Sequence, residues 1–131
     1  KGASFEGPMV TLVNKGTASA SEILAGSLQD NGRSILMGEQ TYGKGLIQSL
    51  KSLGEESGIA ITVASYLTPK GNNIQGQGMT PDKLLDLPDA SEYGNAEDKW
   101  VRNAEIFLES LLDKKEVSVQ TIQLSNEGIN P

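Results

Sequence analysis

The first third of the chain alternates short apolar runs with one helical repeat. The run PMVTLVN (8–14) is β-branched and lies between turn residues, which predicts a strand. In the next segment apolar side chains recur at helical spacing, at Ala20, Ile23, Leu24 and Leu28. Asn31-Gly32 predicts where this helix ends, and SILMG (34–38) predicts a second strand. Strand, helix, strand in this order indicates an α/β layer fold.

The remaining elements follow from the same periodicities. The run GLIQSLKSL (45–53) fits either a strand or a short helix, whereas GIAITVASYL (58–67) has the most strand-like composition in the chain. A polar turn region rich in glycine and proline comes next. One apolar face between Glu97 and Leu112 predicts a helix, and Val117 to Leu124 is consistent with a last strand before a fraying tail.

Composition removes several classes of function. The 131 residues suit one domain, and no apolar run approaches the roughly 18 residues that span a bilayer, so we expect no integral membrane protein. A net charge of -6 argues against nucleic acid as a partner. With neither cysteine nor histidine, thiolate catalysis and an imidazole base are excluded, and the carboxylates are not spaced as a calcium loop. We therefore expect no metal and no cofactor.

Three hydroxyls precede the first helix, and Ser19 supports two interpretations. Ser19 and Glu22 form the capping-box pattern S-x-x-E, so Ser19 can simply cap the helix. A serine at a helix start also lies beside unpaired N–H groups, and the N–H of Ala20 could hold an oxyanion. Ser19 is therefore a candidate nucleophile that requires a base. The residues alone leave both interpretations open.

The candidate base is Lys44, which lies between two glycines. A lysine acts as a base near neutral pH only when burial disfavours its charged form, and the alternative is an exposed lysine in a glycine turn. The overlapping segment GEQTYGKG (38–45) matches the start of a phosphate-binding loop, but Gly45 occupies the position of the magnesium-binding Ser or Thr. A phosphate-loop nucleotide site is therefore disfavoured.

Two segments in order resemble the C-terminal processing (tail-specific) serine protease family. They are PMVTLVNKGTASASEILAGSLQDNGRSILMGEQTYGKGLIQS and ITVASYLTPKGNNIQGQGMTPD, which together cover about Pro8 to Asp82. The resemblance implies that Ser19 is the nucleophile and Lys44 the general base. It also implies that Gln48 orients the lysine.

The same resemblance gives two further assignments. Asp30 matches an aspartate that is important in some members, although Asp-Asn-Gly is also ordinary helix-exit chemistry. Ser21 is the rival nucleophile, and both the alignment and the helix start favour Ser19. The N–H of Ala20 becomes the expected oxyanion donor of a Ser-Lys acyl-transfer site.

The resemblance also implies an architecture: an α/β protein with a mixed sheet, flanking helices and a crotonase-like or Clp-protease-like spiral core. We expect residues 1–131 to form one domain, with a catalytic segment at 8–87 and a C-terminal helix and tail at 95–131. Family members carry an upstream PDZ domain and a loop that supplies a second oxyanion N–H, and this chain begins after both. We therefore expect an incomplete core and weak or no activity of the isolated chain.

Partners and location follow from the family as well. The substrates implied are proteins or peptides with apolar C-termini, cut near those termini, in an extracytoplasmic compartment such as periplasm, cell envelope or thylakoid lumen. An exposed sheet edge would permit self-association. The alternatives are a non-catalytic protease-domain fragment and a self-associating binding scaffold.

Overall fold

The computed structural model describes residues 5–87 and 94–127, with side chains described as far as residue 114 of the last helix. Its elements in chain order are β1 (Val10–Val13), α1 (Ala20–Asp30), β2 (Ile35–Gly38), β3 (Leu46–Ser52), β4 (Gly58–Ser65), β5 (Lys83–Leu84) and α2 (Lys99–Glu127). The chain divides into two compact units, one of residues 11–86 and one of residues 1–10 and 87–131. A single domain over the whole chain stays a prediction.

The strands form two separate sheets. One has the order β1-β2-β5, and within it β2 pairs parallel to β5, with Met37 opposite Lys83. The other is an antiparallel hairpin of β3 and β4, in which Leu50 lies opposite Ala60. The three strands expected from apolar runs are confirmed, and the ambiguous run at 45–53 is a strand.

The core of the unit of residues 11–86 is small. Its buried apolar side chains come from β1, α1, β2 and the turn region after β4, and they are Val13, Ala25, Leu36, Ile74 and Met79, with Tyr66 packed against them. On α1 the buried positions next to the core are Ala25 and Gly26, whose small size permits close packing. A Cβ on Gly26 would lie 3.3 Å from the Met79 sulfur, so this helix face tolerates no larger residue without a shift.

The exit of α1 follows the sequence signal. Gly32 has a φ of 63°, in the left-handed region that ends many helices. Its N–H donates to the carbonyl of Gln29 at 2.9 Å, and the Arg33 N–H donates to the carbonyl of Leu28 at 2.8 Å. The prediction that Asn31-Gly32 ends the helix is confirmed.

Helix α2 begins later and ends later than the periodicity indicates. Its start is capped by Asp98, whose Oδ1 accepts the N–H of Trp100 at 2.9 Å and of Val101 at 3.4 Å. The expected strand at 117–124 is wrong, because α2 continues to Glu127. No glycine or proline interrupts residues 99–127, so each added residue gains a hydrogen bond at little cost. The last residues, 128–131, lie outside the described part.

The hairpin of β3 and β4 is exposed along its length. Every residue of β4 and all of β3 except Ser49 are exposed, including large apolar side chains such as Leu50 and Val63. This side-chain exposure does not test the predicted exposed sheet edge, which stays a prediction together with self-association through it. Across residues 5–87 and 94–127, no helix combines the length and the apolar character that crossing a bilayer requires.

Two glycines bring the segment before β3 against the turn region that follows β4. Gly43 has a φ of 88° and Gly78 a φ of 69°. A Cβ on Gly78 would lie 2.1 Å from the carbonyl oxygen of Thr41, and one on Gly43 would lie 2.7 Å from the backbone nitrogen of Gly78. The two backbones therefore touch without side chains between them, which fixes the position of Lys44 next in the chain.

We predict that Gly78→Ala lowers the free energy of unfolding by roughly 3 kcal/mol or more, because it combines left-handed strain with backbone overlap. Gly76→Ala is the matched control: Gly76 has a φ of 72° but nothing within 4 Å of its Cβ position. It should cost only about 1 kcal/mol, the strain alone. Urea denaturation of both variants measures the difference, and equal losses would contradict the close approach.

Candidate active site

Ser19 has an unusual backbone conformation. Its φ is 57° and its ψ is -120°, whereas an ordinary N-cap residue lies in the β region. Among the described residues it is the only residue other than glycine with a positive φ. Such a conformation costs about 1–3 kcal/mol and persists only where the surroundings impose it. Ser21, the rival serine, lies in the first turn of α1 without this feature.

The peptide group between Ser19 and Ala20 presents a free donor at the helix start. The Ser19 carbonyl accepts the N–H groups of Glu22 at 2.9 Å and of Ile23 at 3.1 Å, which fixes the plane of this peptide. The N–H of Ala20 has no acceptor within residues 5–87 and 94–127, and Ala20 is exposed. It lies at the positive end of the helix dipole, where a developing oxyanion is stabilised.

Glu22 connects the helix start to the segment that carries Lys44. Its side chain is completely buried and makes one half of the predicted capping box by accepting the Ser19 N–H, while the Ser19 side chain makes no cap hydrogen bond. Oε2 accepts the N–H of Ser19 and the N–H of Lys44, each at 2.9 Å. Oε1 accepts the N–H of Gly43 at 2.7 Å and the hydroxyl of Thr41. One carboxylate therefore fixes the backbones of both candidate catalytic residues.

These contacts determine the charge of Glu22. Burial raises the pKa of its carboxyl, but the hydrogen bonds from the Thr41 hydroxyl and from the N–H groups of Lys44, Gly43 and Ser19 lower that pKa further than burial raises it. The net pKa lies below its ordinary value of 4.5, so Glu22 is an anion at neutral pH. A buried anion with four donors is strongly held in place.

Thr41 extends this network to the turn region after β4. Its hydroxyl donates to Glu22 and accepts the N–H of Met79 at 2.7 Å. Its own N–H donates to the carbonyl of Met79 at 3.1 Å. Because Thr41 is buried, these bonds are protected from water.

The structure brings the backbone of Lys44 to the helix start and leaves its side chain exposed. Among the hydrogen bonds and ion pairs of the described residues, none involves the Lys44 amine. The desolvation that a lysine base requires is therefore not supplied by the described residues themselves. The role of Lys44 as a base stays a prediction.

Gln48 lies on β3 at an irregularity of the hairpin. Ile47 pairs with Ala64 and Gln48 with Thr62, so Val63 is an extra residue opposite the step between them. Such bulges redirect side chains and occur next to active sites. The Gln48 side chain is exposed and has no hydrogen bond within the described part of the chain, so its role in orienting the lysine stays a prediction.

Asp30 lies at the other end of α1 from Ser19. The 11 residues of this helix span roughly 16 Å. Its carboxylate accepts the N–H of Lys70 at 2.9 Å and lies 4.0 Å from the Lys70 amine. Hydrogen bonds from Thr68 and then Lys70 lower its pKa. These contacts hold the turn at residues 68–71. Asp30 is not close to Ser19, so its predicted auxiliary role in catalysis stays a prediction.

Segment 38–45 does not form a phosphate loop. The N–H groups that such a loop would offer to phosphate are occupied: Gly43 and Lys44 donate to Glu22, and Gly45 donates to the Gln75 side chain at 2.8 Å. A strand follows instead of a helix N-terminus. Within the described residues no group of three or more His, Cys, Asp or Glu side chains could hold a metal ion.

Three contributors to the site were not recognised from the sequence. Glu22 was expected only as a capping partner, and Thr41 was not singled out. Tyr66 was part of the strand run at 58–67, yet its hydroxyl donates to the carbonyl of Lys44 and, at 3.1 Å, to that of Ser19. A hydroxyl-bearing aromatic at the end of an exposed strand is the only local signal that Tyr66 carries.

A small cavity of about 240 Å³ opens beside the helix start. Its lining includes four apolar or aromatic side chains, one on α1 and three from the segment after β4: Ile23, Tyr66, Leu67 and Pro69. Ile23 and Leu67 are exposed, and such surface in a concavity favours an apolar group.

The comparison with known families identifies the family of the chain, while the roles of Ser19 and Lys44 stay predictions. The model of peptidase family S41 matches residues 1–85, more than half of the chain. The chain belongs to peptidase family S41. The resemblance stated from the motifs is therefore confirmed.

The relatives carry carboxyl-terminal processing in their names. A carboxyl-terminal-processing protease of Synechocystis sp. is 57% identical over 86 residues, which are 66% of this chain and 20% of that protein. The chloroplastic carboxyl-terminal-processing peptidase 2 of Arabidopsis thaliana is 60% identical over 78 residues, 60% of this chain and 15% of that protein. The chain thus spans about a fifth or less of the length of these S41 relatives.

Solved structures agree on the fold. The photosystem II D1 C-terminal processing protease matches with a TM-score of 0.58 and 48% identity over 70% of this chain and 26% of that one. A putative S41 protease from Bacteroides fragilis matches with a TM-score of 0.59 over 78% of this chain and 28% of its own, at 16% identity, which supports the fold alone. The predicted α/β architecture of an S41 core, present in part, is confirmed.

We predict that Ser19→Gly is more stable than Ser19→Ala by about 1 kcal/mol, because glycine adopts a positive φ without strain. Both variants lack the hydroxyl, so the comparison isolates the backbone. At Ser21, inside the helix, the order should reverse, since glycine costs about 1 kcal/mol relative to alanine there. Thermal unfolding of the four variants checks this, and Ser19→Ala being the more stable of its pair would refute the strain.

We predict that Glu22→Gln lowers the free energy of unfolding at pH 7 by about 3 kcal/mol. Each carboxylate oxygen accepts two hydrogen bonds, so the NH₂ group that replaces one oxygen leaves two donors without an acceptor. The lowered pKa of Glu22 makes its contribution complete above its ordinary value of 4.5 and lost as pH falls through the folded value. Glu22→Gln should therefore lose less stability between pH 6 and about pH 3 than the parent.

The control for this pH comparison is Glu56→Gln, an exposed carboxylate in the turn between β3 and β4. Urea unfolding as a function of pH gives the measurement. Asp30 and Asp98 also have lowered pKa values, but their contribution is common to all three proteins. A Glu22→Gln protein with the same acid dependence as the parent would disprove the role of the carboxylate.

Proposed function

We propose that this S41 segment carries a Ser-Lys peptidase site that hydrolyses peptide bonds near protein C-termini. The observation that carries the proposal is the strained Ser19 backbone, joined through one buried carboxylate to the backbone of Lys44. Backbone strain of this kind concentrates at functional sites, and capping a helix does not require it. Family membership and the names of the relatives support the same reaction.

The reaction would be acyl transfer. The neutral amine of Lys44 takes the proton of the Ser19 hydroxyl, and the Ser19 oxygen attacks the scissile carbonyl carbon. The Ala20 N–H donates to the oxyanion, and Lys44 returns the proton to the leaving amine. Water then releases the acyl group by the same steps. Gln48 would hold the lysine amine in place.

The exposed Lys44 side chain makes this chemistry dependent on what covers it. A lysine amine surrounded by water keeps its proton, whereas a substrate laid across the site would exclude that water. The backbone is already in place through Glu22, so covering the side chain requires no rearrangement of the helix start.

The substrates would be polypeptides with apolar C-terminal residues. The cavity lined by Ile23, Tyr66 and Leu67 offers apolar surface next to the helix start. The relatives are named for carboxyl-terminal processing, and several are chloroplastic, which agrees with an extracytoplasmic compartment such as the thylakoid lumen, the periplasm or the cell envelope.

A second candidate function is that of a non-catalytic fragment of a protease domain. The exposure of the Lys44 side chain favours it, as does the single oxyanion donor at Ala20 among the described residues. Loss of one oxyanion donor costs on the order of 3 kcal/mol of transition-state stabilisation. The two functions differ in whether Ser19 reacts.

We predict that the chain cleaves an unstructured peptide with an apolar C-terminus only weakly, and that Ser19→Ala and Lys44→Met each lower kcat/KM by about 10³-fold or more. Ser21→Ala and Lys51→Met are the matched controls, because both residues are exposed and should leave kcat/KM within a factor of about two. A phosphonofluoridate probe, which labels activated serines, should modify Ser19 and be located by mass spectrometry.

The outcomes separate the two functions. Labelling and cleavage that vanish only in Ser19→Ala and Lys44→Met support the peptidase. A parent that neither cleaves nor is labelled establishes the non-catalytic fragment. Loss of activity in Ser21→Ala but not in Ser19→Ala would identify Ser21 as the nucleophile.

A further inference from the structure

Tyr66 lies at the junction of the two segments that carry Ser19 and Lys44. It follows β4, and its N–H donates to the carbonyl of Gly45 at 3.1 Å. Its ring packs against the core cluster, so the side chain has a fixed direction. The hydroxyl at the end of this ring shares its one hydrogen between the carbonyl oxygen of Lys44, which is the closer acceptor, and that of Ser19 at 3.1 Å.

This arrangement places two carbonyl oxygens around one hydroxyl. Carbonyl dipoles that point toward a common position repel each other, and a donor between them removes the repulsion. The Ser19 carbonyl already accepts the N–H groups of Glu22 and Ile23, and the Tyr66 hydroxyl adds the donor that lies between this carbonyl and that of Lys44. Burial, and then the negative charge of Glu22, raise the pKa of the Tyr66 phenol, so it remains a donor at neutral pH.

The two peptide groups that Tyr66 contacts have different tasks. The Ser19 carbonyl belongs to the same peptide as the Ala20 N–H, the candidate oxyanion donor, so a hydrogen bond to the oxygen polarises the N–H and fixes its direction. The Lys44 carbonyl belongs to the peptide that leads to Gly45, whose N–H donates to the Gln75 side chain at 2.8 Å. The hydroxyl thus acts on the oxyanion donor and on the backbone of the base together.

We infer that Tyr66 is a positioning residue of the peptidase site, whose hydroxyl holds the Ser19–Ala20 and Lys44–Gly45 peptide groups in register for acyl transfer. This inference rests on the proposed function. Tyr66 acts through the backbone of Ser19 and Lys44 and takes no proton from the substrate.

The test compares Tyr66→Phe with Tyr42→Phe in the full 131-residue chain. Both variants lose one phenol oxygen, but Tyr42 is 67% exposed and its hydroxyl has no hydrogen bond in the described part of the chain. Phenylalanine keeps the ring of Tyr66 against the core, and thermal unfolding confirms that each variant is folded.

Tyr66→Phe should lower kcat by about tenfold or more with KM nearly unchanged, because a misplaced donor and base affect the transition state more than substrate binding. In ¹H–¹⁵N spectra the amide signals of Ala20 and Gly45 should shift, since each reports the hydrogen bond at the carbonyl of its own peptide. Tyr42→Phe should leave kcat and the Ala20 signal unchanged.

Two results overturn the inference and leave the proposed function intact. In the first, the parent is active and Tyr66→Phe is equally active. In the second, Tyr66→Phe loses kcat but the amide signals of Ala20 and Gly45 do not shift. Cleavage by Ser19→Ala equal to that of the parent, or a parent that neither cleaves nor is labelled by the phosphonofluoridate, overturns the proposed function and this role with it. Amide shifts without a change in kcat show a structural contact only and also contradict the inference.

Discussion

The buried carboxylate of Glu22 is the interaction on which the rest of the site depends. A carboxylate with no exposure to water is costly unless every acceptor position is used, and here two oxygens accept four donors. Three of these donors belong to the segment before β3 and one to the helix start, so the charge cannot be accommodated unless both arrive. The requirement to satisfy one anion therefore sets the distance between the backbones of Ser19 and Lys44.

Tyr66 contacts the same two residues at their carbonyl oxygens. Glu22 accepts the N–H groups of Ser19 and Lys44, and the Tyr66 hydroxyl donates to the carbonyls of the same two residues. A residue held at both its N–H and its C=O cannot relax from a strained φ without losing several hydrogen bonds. This explains how Ser19 can remain at a φ of 57°, a conformation that a freely capping serine would leave.

The sequence predicts local features well and distant ones poorly. The spacing of Ala20, Ile23 and Leu28 predicts α1, and Asn31-Gly32 predicts its end, because the determinants lie within a few residues. Glu22 was recognised only as a capping partner, since its bonds to Thr41, Gly43 and Lys44 cross about 20 residues and leave no periodic signal. The family resemblance supplied Ser19 and Lys44 as candidates without their geometry. The strand expected at 117–124 is wrong because α2 continues through these residues, where no glycine or proline ends it.

The proposed Ser-Lys chemistry has two requirements, placement and desolvation, and the structure assigns them to different groups. Placement is a property of the backbone, and the hydrogen bonds of Glu22 and Tyr66 achieve it within residues 19–66. Desolvation is a property of the surroundings of the Lys44 amine, which is exposed here. Since the two depend on different atoms, a group that covers the Lys44 side chain need not move Ser19 or the Ala20 N–H. Under the proposed function, such a site would keep its geometry at rest and lose water from the lysine side chain only when a polypeptide covers it.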